Sequence, residues 1–115
     1  MSKVEVPAVN QEDLVKAWQD TLPTLLNEGD RSTVVGDAIN GQALRIEIAT
    51  AGRTGYVFDF QCTYVDSREV KVDLIDVEID NRTIDERNET IQQLVDDYVR
   101  HIHECAQALH EMTNR

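Results

Sequence analysis

Basic residues are scarce in this 115-residue sequence. Eleven Lys and Arg stand against 22 Asp and Glu, for a formal net charge of -11, and only 3 of the 11 are Lys. A surface of that sign repels phosphate backbones and anionic lipid, so nucleic acid and membrane surfaces are poor partners. Cysteine is scarce too. Cys62 and Cys105 are too few for a disulfide framework, and reduced thiols in a cytoplasmic protein are the expectation. The first residues lack the charged start and long apolar run of a secretory signal, and no later run is long enough to span a bilayer. Only 2 Pro and 5 Gly interrupt the chain, and none of the glycines falls in a phosphate-cradling loop or a nucleophile elbow.

What is present is patterned for one α+β domain. A length of 115 residues with 41% hydrophobic residues supports a single modest core. Residues 1–9 show no period and read as a flexible arm. A helix is expected over residues 10–28, with Asn10 as N-cap, Glu12 and Asp13 in the first turn, and Leu14, Ala17, Trp18, Leu22, Leu25 and Leu26 on one side. Pro23 removes a backbone donor and crowds the preceding turn, so this helix is kinked or split near residues 20–22.

Residues 33–80 alternate as strands of a single antiparallel meander of three to four strands. Asn40-Gly41 suggests a two-residue hairpin turn with positive φ, which sets Val35 opposite Ile46 and Thr33 opposite Ile48 and turns Leu44, Ile46 and Ile48 inward. On that reading Gly41→Val damages the hairpin. The third strand sends Tyr56, Phe58, Phe60, Cys62 and Tyr64 to one face and belongs at the centre. Val70, Val72 and Leu74 point inward on the fourth, and the break of period at Leu74-Ile75 predicts a β-bulge near Ile75. The order is α-β-β-β-β-α.

A second helix is expected over residues 84–112, started by a capping box of Thr83 and Glu86. Its stripe runs through Ile91, Leu94, Val95, Tyr98, Ile102, Cys105, Ala106 and Leu109. Roughly 29 residues make about 43 Å of helix, against about 30 Å for a strand of roughly 9 residues. The excess implies an overhang in which Cys105, Leu109 and Met112 meet a second copy, hence a homodimer.

Chemistry is harder to find. His101, His103, Glu104, Cys105, His110 and Glu111 are ligand types, but helical geometry sets His101 and His103 about 160° apart and separates His103 from His110 by about 10 Å. No metal, cofactor or catalytic residue is assigned, and an enzyme is not the expectation. The outward residues Asp59, Asp73, Asp76 and Glu78 instead suggest an acidic docking face for a protein partner, of basic character. The expected function is a small acidic interaction module that binds or neutralises a partner, as chaperones, immunity proteins and inhibitors do. Two other readings remain open on the residues alone. One is a small-molecule binder using the helix-covered aromatic face, and the other is an acidic surface adapted to salt with no partner implied.

Overall fold

The computed structural model describes residues 11–50, 55–66, 69–79, 82–83 and 89–110. Helix α1 (Gln11–Thr21) runs into a 3-10 turn, Leu22–Thr24. Strands β1 (Arg31–Gly36), β2 (Ala43–Ala49), β3 (Val57–Tyr64) and β4 (Val70–Ile79) follow, then a two-residue β5 (Arg82–Thr83) and helix α2 (Glu89–Ala108). All strands lie in one antiparallel sheet in the order β1-β2-β3-β4-β5. The fold is therefore α+β, with the order α-β-β-β-β-α extended by the short β5. The arm at residues 1–9, the Asn10 cap and Met112 lie outside the described residues.

Pro23 divides the first helical segment into two pieces, because it sits in the 3-10 turn where its missing N–H is tolerated. The chain then reverses at Asn27, with the Asp30 N–H bonded to the Asn27 carbonyl at 3.0 Å. Gly29, at φ 90°, takes the position in that turn that disfavours a side chain.

Both helices lie on one face of the sheet. Strand β3 is central and alternates perfectly, with Phe58, Phe60 and Cys62 at 0% exposure and Tyr64 at 2%. Leu44, Ile46 and Ile48 of β2 join them, as do Leu14, Trp18 and Leu22 from the first helical segment and Ile91, Tyr98, Ile102, Cys105 and Ala106 from α2. Trp18 meets Tyr64 edge-on at 6.5 Å and donates its indole N–H to the Tyr64 hydroxyl at 3.2 Å. Burial pushes the Tyr64 phenol above its usual range. Tyr98 meets Phe58 edge-on at 5.3 Å, donates to Asp30 Oδ2 at 3.1 Å and lies 3.4 Å from the Thr50 hydroxyl.

The bulge falls where the alternation breaks. Asp59 faces Asp76 and Phe60 faces Leu74, so Ile75 is the extra residue. The first hairpin differs from the two-residue turn. Val34 faces Ile46 and Val35 faces Arg45, one residue away from the register that Asn40-Gly41 implies. The connection is longer because Asp37 organises it: its carboxylate accepts the N–H groups of Ile39 at 2.8 Å and Asn40 at 3.0 Å. Asn40 Oδ1 accepts from Gln42 N–H at 2.9 Å, and Asp37 N–H reaches the Ala43 carbonyl at 3.0 Å. Gly41 does not adopt the left-handed conformation. Since side chains alternate with period 2, the one-residue slip exchanges faces. Val34 is buried, Val35 is 50% exposed, and Ser32 Oγ is buried without a hydrogen bond.

The second helix also starts later than the capping signal. Thr83 pairs with Glu78 in β5, so it is not an N-cap, and Glu86 lies outside the described residues. With 20 residues, α2 is about 30 Å long, close to the about 33 Å of ten-residue β4. Residues 84–88, 111 and 112 of the expected helix lie outside the described residues, and the overhang expected of the longer helix with them. Tyr98, midway along α2, already reaches Asp30 and Thr50 at one end of the sheet. Ala106 lines a depression with Glu69 and Val70 at the other end, so the C-terminal half of α2 covers the sheet.

Two outcomes test this hairpin. Gly41→Val should change stability by less than about 0.5 kcal/mol by chemical denaturation, as an ordinary surface substitution does, because a Cβ there meets nothing within 4 Å. The bonds from Ile39 and Asn40 hold the Asp37 carboxyl below its ordinary value. A depressed folded-state pKa means that its contribution is present above the unfolded value and lost as pH falls through the folded one. The melting-temperature advantage of the parent over Asp37→Asn should therefore shrink between pH 6 and about pH 2.

Candidate functional site

The face of the sheet opposite the helices is the surface on which the acidic residues converge. Alternation sends Arg31, Thr33 and Val35 of β1, Arg45 and Glu47 of β2, Val57, Asp59, Gln61 and Thr63 of β3, and Lys71, Asp73, Asp76 and Glu78 of β4 to this side. Asp59, Asp73, Asp76 and Glu78 thus share one face. Asp59 sits directly opposite Asp76, while Asp73 faces Gln61 and Glu78 faces Val57.

The register adds Glu47. It lies opposite Asp59 on the other side, so Glu47, Asp59 and Asp76 form a carboxylate row across three adjacent strands. Directly opposed side chains have Cβ atoms about 5 Å apart, and like charges there are destabilising. Arg45 relieves one member of the row: its Nη2 donates to Asp59 Oδ2 at 2.6 Å, with the two side chains 37% and 33% exposed. At that exposure the pair is worth about 1 kcal/mol or less. Arg45 Nε is buried and makes no hydrogen bond.

Beside this pair lies a shallow depression of about 310 Å³ lined by Thr33, Val35, Arg45, Glu47 and Asp59. Val35 gives it an apolar wall because the hairpin register turns that residue outward. Ile75, 45% exposed at the bulge, supplies a second apolar contact. Five acidic and three basic side chains occupy the face, so its charge follows that of the chain as a whole, and it mixes charged groups with isolated apolar ones as interaction surfaces do.

Of the residues expected at a dimer contact, Cys105 is 0% exposed and Leu109 is partly buried against the core. Burial pushes the Cys105 thiol up to about 12 and raises Cys62 further, so both remain protonated at neutral pH. His101 turns to Glu104, Nδ1 to Oε1 at 2.7 Å, and His103 lines the depression at Glu69 and Val70. Among the described residues no group of three His, Cys, Asp or Glu side chains is arranged to hold a metal. The aromatic face of β3 is filled by the helices. No helix among the described residues is long and apolar enough to cross a membrane.

Comparison of the chain with family models, with curated proteins and with solved structures finds no match.

Two measurements probe this geometry. Glu47→Gln should raise stability by about 0.5 kcal/mol in low salt, through relief of like-charge contact with Asp59, and by less in molar salt. In the folded protein a thiol reagent at pH 8 should label Cys62 and Cys105 only at the rate of unfolding, whereas denatured chain should react at once.

Proposed function

We propose that this chain is an interaction module whose sheet face opposite the helices docks a basic segment of another protein, in the manner of a small chaperone, immunity protein or inhibitor. The observation that carries this reading is the row Glu47, Asp59 and Asp76 on three neighbouring strands. Facing carboxylates lower the stability of the sheet, and a basic partner would turn that cost into binding energy. Arg45 against Asp59 is a guanidinium already seated on the row, and a partner's Arg or Lys would repeat its contact at Glu47. Val35 and Ile75 would supply apolar contacts on either side. Such complementarity chiefly sets partner choice and association rate, and it weakens with ionic strength.

The test begins with a partner recovered from the native host by the parent protein. Replacing Glu47, Asp59, Asp76 and Glu78 together by Gln and Asn should abolish recovery and leave the circular dichroism unchanged. Retention of the partner by this variant would mean that the acidic face is merely solvated.

A further inference from the structure

The two edges of the sheet are not alike. In β1 the bond from Asp37 N–H to the Ala43 carbonyl fixes the alternation, so residues 31, 33 and 35 bond to β2 while Ser32, Val34 and Gly36 turn their backbone groups to the free edge. Helix α1 covers that edge. Gln19 Nε2 donates to the Val34 carbonyl at 2.8 Å, and Gln11 lies so close to Gly36 that a Cβ there would be 2.5 Å from its Cδ. Gln11 Nε2 also reaches the carbonyls of Asp37, Asn40 and Ala43 at 3.3, 3.2 and 3.1 Å. Side chains that occupy edge groups are a standard block to strand addition.

On β4 the bond from Val65 N–H to the Glu69 carbonyl fixes the opposite set. Lys71 and Asp73 bond to β3, and Val70, Val72 and Leu74 turn their N–H and C=O groups outward. Among the described residues, β5 covers this edge only at Glu78 and Ile79. The next exposed amide, that of Val77, is taken by Asp76 Oδ1 at 2.9 Å. Among the described residues, the stretch left without a strand partner on this side is Val70-Lys71-Val72-Asp73-Leu74.

That stretch is complementary to itself. We propose that a second copy of this chain pairs antiparallel along the β4 edge, with Val72 on the two-fold axis. Val70 then faces Leu74 of the second copy, Val72 faces its equivalent and Leu74 faces Val70, so all the outward backbone groups meet as hydrogen-bonded pairs. On the outer face Lys71 stands opposite Asp73 of the second copy, and Asp73 opposite Lys71. These are non-hydrogen-bonded positions, where facing side chains come closest. On the helix side, Leu74 of the second copy comes against Val70, at the depression of about 260 Å³ lined by Glu69, Val70, His103, Ala106 and Gln107. A one-residue shift of register would leave these backbone groups unmatched. The two sheets join into one, with all helices on one side and both carboxylate rows on the other. The pairing does not depend on the docking function of the acidic face, and it is tested by self-association alone.

Each copy carries a formal charge of -11, so association is measured at about 0.15 M salt, where the Debye length is about 8 Å. By sedimentation the parent should approach twice the 13.1 kDa chain mass at submillimolar concentration. Lys71→Asp places like charges at both symmetry-related pairs and should weaken the dimer about tenfold or more, and Asp73→Lys should do the same. The double variant Lys71→Asp/Asp73→Lys restores opposite charges and should regain the dimer. Both side chains are exposed, and circular dichroism reports whether each variant is folded; if one reversal fails to fold, the other carries the test. A monomeric parent, a folded single reversal as tightly dimeric as the parent, or a double variant that stays monomeric would each overturn the proposal.

Discussion

Phe58 stands where the structure is fastened together. It stacks on Phe60 at 6.3 Å, tilts against Tyr56 at 6.1 Å and receives the edge of Tyr98 from α2 at 5.3 Å. Six residues along the same strand, Tyr64 receives Trp18 from α1. Each helix is therefore anchored by an aromatic side chain at one end of β3, and each contact joins a large buried area to a specific ring geometry. Both anchors lie on the inner face, and the outer face carries mostly charged and polar groups. That asymmetry decides what the surface can do, because two helices committed to one side leave, among the described residues, one broad sheet face and part of the β4 edge uncovered.

Much of this was legible in the residues. The alternation of β3 and β4 gives their inward sets directly, and Leu74-Ile75 marks the bulge because an apolar pair cannot both face the core of a strand with period 2. The outward placement of Asp59, Asp73, Asp76 and Glu78 follows from the same pattern. Their neighbours across the strands do not. Only the paired register shows that the bulge brings Asp76, rather than Ile75, opposite Asp59, and that Glu47 completes the row.

Where the sequence misled, a competing local interaction was stronger than the signal used. Asn40-Gly41 favours a tight turn, but the Asp37 carboxylate captures the amides of Ile39 and Asn40, and a longer loop with the other register results. The sign of this was present as an Asp preceding Asn-Gly by three residues, the pattern of a side chain that competes with the backbone for hydrogen bonds. Thr83 with Glu86 resembles a helix start, yet Thr83 is held by a short hairpin with Glu78. The stripe of α2 was readable, but its covering was not, since periodicity identifies a buried face without naming what lies against it.

The two sheet edges differ most sharply, because α1 lies over one, where Gln19 takes the Val34 carbonyl, while among the described residues the other has no strand partner along Val70–Leu74. Residue-resolved amide hydrogen exchange as a function of protein concentration tests this most directly. The amides of Val70, Val72 and Leu74 should exchange rapidly in dilute solution and slow markedly on concentration, while those of Lys71 and Asp73, bonded to β3, remain protected throughout. Exchange at Val72 that does not change with concentration, or that is as slow in dilute solution as at Lys71, would contradict the account.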